Sequence, residues 1–326
     1  MPSCSCRPDS TWALLALLLA SLAEPGCNAI LGMDERVLSQ AGGSGGALEG
    51  GGGSGGVTVG GGGSGGAPVG GGGSGGAPGG GGGSGGAPPL GNDFSADSHV
   101  VALYNFESGG LVTDSIGGNA LSEYGSMAVS TSDCRQGLAC ALLDGSSWLE
   151  RPDDQLSSNF PFKLGTSNDD FSVSLWLQPT ELASQQVLVA KCNWSNGNYR
   201  SWAVALSTSG ELLLWKAYNS SASYETAQFS VPCELGVWYH AVVSYTESTR
   251  ECRIRVWDDA NQQLLGTDHV TQFVNATSYV GVPFSIGAEW QGSTAFHGKL
   301  DEVVIFDRVL SVGESDEIRQ GAYVGE

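Results

Sequence analysis

Trp194 and Trp290 stand in polar, turn-rich surroundings, where an aromatic ring can meet a ligand as well as pack. Trp194 belongs to Cys192-Asn193-Trp194-Ser195-Asn196-Gly197-Asn198-Tyr199, and Trp290 lies between Glu289 and Gln291. A flat ring beside amides and carboxylates can hold a sugar, because the ring stacks on the sugar's face while the polar groups bond its hydroxyls. Trp194, Asn196, Tyr199 and Trp290 are the candidate ligand-binding residues. The same ring type also fills cores, and Trp176, Trp202, Trp215 and Trp238 fall in strand-like runs that assign them to packing.

Groups for catalysis are harder to assemble. Glycoside hydrolysis needs two carboxyls flanking the scissile bond, about 5 Å apart for retention and wider for inversion. The nearest string is Glu314-Ser315-Asp316-Glu317, in an expected terminal helix whose N-terminus accounts for the acidic residues. His99, His240, His269 and His297 occupy strand-like or strand-edge positions, and no G-x-S-x-G elbow follows Asn92. Catalysis is not the expectation. Of the eight cysteines, Cys134 and Cys140 are close enough across a glycine-containing loop to pair. Cys192, Cys233 and Cys252 leave room for one more bridge of open pairing, with zinc as the runner-up.

These residues need a scaffold, and the clearest piece of it is Phe296 to Ser311. From Lys299 the chain alternates, with Leu300, Glu302, Val304 and Phe306 on one face and Asp301, Val303, Ile305 and Asp307 on the other. That is a strand covered on both faces. Ser311-Val312-Gly313-Glu314 then reads as a capping box opening a short helix through about Arg319. Upstream, Phe171, Val173, Leu175 and Leu177 share a face opposite Ser172, Ser174 and Trp176. Many short strands at this spacing predict an all-β, two-sheet antiparallel sandwich.

The N-terminal part differs. Trp12 to Leu22 is an apolar run too short to span a bilayer and reads as the core of a signal peptide over residues 1–26. Cleavage after Ala23 and lipidation at Cys27 are both open. Gly26-Cys27 is similar to the end of a lipobox and to the mature start of Gram-negative surface lipoproteins, although Glu24 stands where a lipobox has leucine. After a short segment, 27–40, five ten-residue units marked by Ser44, Ser54, Ser64, Ser74 and Ser84 fill a linker over 41–93. With almost nothing apolar to bury, such a repeat is expected to be a disordered tether with a reach of roughly 40 Å. The formal charge of −20 excludes a phosphate-backbone binder. The triplets opening at Asn193, Asn219 and Asn275 are glycosylation acceptors by pattern, discounted beside a bacterial-looking N-terminus.

Several blocks after Ser98 resemble, in order, those of LamG-like (laminin-G type 3) domains. Leu138 to Leu149 is similar to the family's F-D-G-S-x-Y-L hairpin, and Phe171 to Pro179 to its F-T-V-S-x-W-V-x-P strand. Gly236 to Val243 and Arg253 to Asp259 follow, the latter with Asp259 in place of a glycine. Phe296 to Ser311 resembles the C-terminal F-x-G-x-[IL]-D-E-V-x-[IV]-[FY]-x-R-x-L-S signature. The resemblance implies a concanavalin A-like jelly roll over 94–326. It also implies a structural calcium, with Asp114, Asn119 and Asp301 at the family's ligand places, unless Asp114 and Asn119 only shape turns. The function it implies is non-catalytic recognition of a glycan or cell-surface polymer. Adhesion to protein is the alternative, and glycoside hydrolysis stands behind both. Nucleic acid is not an expected partner, and the membrane is one only through the lipid anchor.

Overall fold

The structure, a computed structural model, describes residues 91–325 apart from 108, 168, 195 and 220–222. The expected signal peptide, Cys27 and the repeat through residue 90 lie outside the described residues. Sixteen strands are described: β1 (Val100–Tyr104), β2 (Ser122–Tyr124), β3 (Ala128–Ser130), β4 (Cys140–Asp144), β5 (Trp148–Arg151), β6 (Phe171–Pro179), β7 (Gln186–Cys192) and β8 (Arg200–Leu206). They continue with β9 (Leu212–Tyr218), β10 (Ser223–Gln228), β11 (Tyr239–Thr246), β12 (Glu251–Asp258), β13 (Gln263–Leu264), β14 (His269–Gln272), β15 (Phe284–Ile286) and β16 (His297–Phe306), before the helix α1 (Val312–Gln320). One sheet runs β13-β12-β11-β6-β16-β4-β3, with β1 on β16 and β14 on β12; the other runs β10-β9-β8-β7-β15-β5-β2. The strand ladders are antiparallel and the two sheets form a jelly-roll sandwich.

The alternation in β6 sends Phe171, Val173, Leu175 and Leu177 into the core between the sheets, as its sequence predicts. The opposite face is buried too. Ser172 Oγ donates to Arg308 O at 2.8 Å and accepts from Leu310 N at 2.9 Å, so it ties the sheet to the chain entering α1. Two small hydroxyl residues on this face let a second layer approach without stranding its polar groups.

β16 departs from the predicted alternation. Its register with β6 shifts between Asp301 and Val304, and Glu302 adopts a left-handed φ of 45°. This bulge inserts one residue and reverses the phase. Leu300, Val303 and Ile305 therefore face the inter-sheet core, while Val304 and Phe306 pack with Ile318 of α1. Glu302 does not share a face with Leu300 in the core; its carboxylate accepts twice from Asn92 Nδ2, at 2.9 Å each. Asn92 and Asp93, expected at the end of the linker, are thus bonded into the folded unit, and Asp93 N donates to Tyr323 O at 2.7 Å. Gly298 is needed where β16 crosses close to β6, because a Cβ there would lie 2.2 Å from Gln178 O.

Helix α1 begins as its sequence predicts. Ser311 Oγ accepts from Glu314 N, and the Glu314 carboxylate accepts from Ser311 N. It ends at Gly321 in the left-handed conformation, φ 69°. Among the described residues no helix is long and apolar enough to cross a membrane.

Candidate functional site

Two loops converge on one end of β7. The 193–199 loop leaves β7 for β8, and the 287–296 loop leaves β15 and folds back, so that Trp290 N donates to Cys192 O at 2.9 Å. The Glu289 carboxylate accepts from Trp194 N, and Asn193 Nδ2 donates to Gln291 Oε1 at 3.4 Å. The Tyr199 and Trp290 rings meet edge to face at 5.1 Å. Asn196 is exposed at the loop tip, its amide donating to Asn193 Oδ1 at 3.1 Å and its Oδ1 accepting from Asn198 N. All four candidate ligand-binding residues thus belong to one joined pair of loops.

They are not equally free. The half-buried Trp194 ring stacks on Trp215 at 4.5 Å and meets the edge of Tyr224 at 4.7 Å. The Arg200 guanidinium lies 4.9 Å from its centre, and Arg200 Nε donates to Trp194 O at 3.1 Å. Trp215, assigned to packing, is the floor of this stack. Trp194 therefore packs with part of its ring, whereas Tyr199 is 37% exposed. Two carboxylates outside the candidate set anchor the patch: Glu289, seen in the sequence only as a neighbour of Trp290, and Glu150, which was not singled out. Glu289 is buried, and its desolvation raises its pKa. Glu150, likewise raised by burial, accepts from Trp148 Nε1 at 3.2 Å and from the Gln291 amide. The period of two in Trp148-Leu149-Glu150 was the available signal, since it puts ring and acid on one face.

The proposed metal ligands separate into two groups. Asp114 Oδ1 accepts from the amides of Leu103, Ile116 and Gly117, and its Oδ2 accepts from Asn119 N at 2.7 Å. Asn119 is fully buried: its Oδ1 accepts from Ser157 N, and its Nδ2 donates to Val101 O. The oxygens of these two side chains accept the backbone amides that shape the 114–119 turn. Asp301 forms the second group. The β16 bulge aims it at the 134–140 loop, where its Oδ2 accepts from the Arg135 and Gln136 amides at 2.8 and 2.9 Å. Its Oδ1 is buried without a partner. Burial first, offset by these amides and reinforced by the charge of Glu107, raises its pKa to about 7. Glu107, overlooked in the sequence, accepts from Leu138 N at 3.0 Å, and a Cβ on Gly137 would fall 1.6 Å from its Oε1.

Cys134 and Cys140 form the expected disulfide, which packs between Trp176 and Trp238. Cys192, Cys233 and Cys252 are free and buried, so the further bridge does not form among the described residues. Their burial raises each thiol's pKa, which leaves them small apolar residues in these surroundings. Ser174 Oγ and His240 Nε2 are 3.0 Å apart, but both residues are buried on the helix-bearing face of the sheet.

With fold and site in view, the sequence matches the laminin-G type 3 model of the concanavalin A-like lectin/glucanases superfamily over residues 150–314 of 326, and the chain belongs to that family. No curated protein matches the sequence. Among solved structures, domain 4 of AbnA is similar, a GH43 extracellular arabinanase from Geobacillus stearothermophilus in complex with arabinotriose. It is 19% identical with a TM-score of 0.49, covering 69% of this chain and 98% of that one. The binding domain of Paraclostridial Mosquitocidal Protein 1 is 15% identical with a TM-score of 0.47, over 68% of this chain and 52% of that one. The receptor-binding domain of botulinum neurotoxin type G is 14% identical with a TM-score of 0.45, over 68% and 51%. The chain thus spans about half the length of these two toxin chains.

Proposed function

We propose that this chain is an exported, surface-tethered module that recognises carbohydrate and leaves it chemically unchanged. The observation that carries this reading is the convergence of Trp194, Asn196, Tyr199 and Trp290 on two loops fastened by Glu289 and Glu150. Membership of a lectin/glucanase superfamily supports it, while the site itself must specify the ligand. Both buried carboxylates accept backbone amides that build the loops, so they act as anchors. Affinity per domain is expected to be weak, because two or three rings on an open face cover little of a polymer.

Glycan-array binding followed by affinity retention tests this reading. Tyr199→Ala and Trp290→Ala should each weaken retention by roughly threefold to tenfold, the equivalent of about 0.5–1.5 kcal/mol for a lost ring. Melting should barely move, whereas Trp194→Ala should lower both retention and melting temperature through its contact with Trp215. Undiminished retention in the Tyr199/Trp290 double variant, or turnover of the glycan, would refute the proposal. Blank arrays with capture of a cell-surface protein would favour adhesion.

Calcium, in this reading, is structural and held by Asp301 with Glu107 beside it, backbone and solvent oxygens completing the six to eight it takes. It would neutralise a buried carboxylate and brace the disulfide loop. A hundredfold excess over Kd should add roughly 2.7 kcal/mol of stability. Asp301→Asn should abolish the difference between calcium and chelator melts; an equal difference in the variant would place calcium elsewhere.

A further inference from the structure

Lys191 is a lysine on a central strand with no exposure at all, and its amine touches the Oδ1 of Asp153, whose side chain is 8% exposed. Asp153 sits in the 3-10 turn Asp153–Gln155 that follows β5. Around this contact the remaining polar atoms are already oriented. Nζ also donates to Val282 O at 3.1 Å, and Asp153 Oδ2 accepts from Leu164 N at 3.2 Å. The Phe160 ring lies 6.0 Å from Nζ and closes the chamber from the core side.

A pair of unlike charges taken out of water loses more solvation than a single contact returns, unless every remaining lone pair and proton is satisfied. Condensation removes both charges. We propose that Lys191 and Asp153 are the two halves of a covalent cross-link, joined by an amide bond between Nζ and Cγ.

The step balances without any co-reactant. Nζ passes one proton to Oδ1 across the contact, and the freed lone pair attacks Cγ. The N–C bond forms, the Cγ–Oδ1 bond breaks, and Oδ1 leaves as water carrying that proton and a second from Nζ. Oδ2 stays as the amide oxygen with the Leu164 N–H still on it, and the one remaining N–H points to Val282 O. Leu164 N–H is thereby placed to stabilise the charge that develops on Oδ2. Holding nucleophile and carboxyl in contact supplies the effective concentration that a bimolecular condensation lacks. Burial, the leading cause, lowers the pKa of Lys191 to about 8, against the pull of Asp153, which favours the free amine the attack needs. The released water leaves past the Asp153 side chain, which keeps 8% of its surface exposed. The bond would fasten the turn after β5 to β7 and enclose all of β6, a tie suited to a domain pulled by a bound polymer.

Trypsin digestion of the purified, reduced and denatured full chain decides the matter. The expected product is Gln136–Lys163 joined to Leu164–Arg200, lighter than the two peptides together by one water, with fragmentation placing the bond at Asp153 and Lys191. Cleavage after Lys191, giving a free Leu164–Lys191 peptide as the main species, would overturn the proposal and leave a plain buried ion pair. A bond mapped to any other residue pair would overturn it equally. Lys191→Met and Asp153→Ala should each yield only separate peptides, and the wild-type digest remains decisive if either variant fails to fold.

Discussion

His240 shows how a single side chain can set the acid limit of this domain. Its ring lies 5.0 Å from Trp176, and its Nε2 is within hydrogen-bond reach of Ser174 Oγ. Burial above all, then the charges of Arg319 and Arg255, lower its pKa to about 3. The unfolded chain takes up a proton near pH 6.5 that the folded chain refuses until about pH 3. Stability from this group is therefore complete above about pH 6.5 and is lost as the pH falls through that window, by at most roughly 4–5 kcal/mol. Melting temperature should fall more steeply between pH 6 and 4 in the wild type than in His240→Gln; parallel curves would show that the imidazole is not the controlling group. Asp301 has the opposite sign. With its pKa raised to about 7, its contribution is present near pH 4 and fades towards pH 7. Measuring below pH 6 in chelator separates the two slopes only when Asp301→Asn is run beside the wild type.

At the scale of elements, α1 matters because it covers the outer side of β16. Ser311→Ala removes the cap and should cost about 0.5–2 kcal/mol. The loss should be read as a lower melting temperature with an unchanged strand spectrum; a loss of strand signal would mean that the sheet itself depends on the cap. This helix, its cap and its stop were legible in the sequence because each has a local chemical cause. The strand before it was legible as a strand but not in its phase. Leu300, Val303, Val304, Ile305 and Phe306 are apolar and suit either face, and the adjacent acids Asp301 and Glu302 do not show that an extra residue is inserted between them and Val304. The disulfide was legible from spacing, whereas the separation of Asp301 from Asp114 and Asn119 was not, since it depends on the bulge. The aromatic loops were legible as a composition. Their meeting was not, because Trp194 and Glu289 are far apart in sequence and are joined only by the pairing of β7 with β15.

For the whole molecule, the charge of −20 bears on what the aromatic patch can hold. At physiological ionic strength fields between exposed charges fade over about 8 Å, so an acidic polymer laid along the surface still meets them at close range. Arg200 adds one positive charge beside Trp194, and its guanidinium is already engaged with that residue's carbonyl and ring. A neutral glycan escapes the repulsion and loses nothing by its lack of charge. Retention on neutral polysaccharides should therefore be nearly independent of salt. Any retention on acidic polysaccharides should be weaker at low salt and recover as salt screens the repulsion. Binding to an acidic polymer that strengthens as salt is removed would show that a local basic contact outweighs the net charge, and would move the proposed ligand class from neutral to anionic sugars.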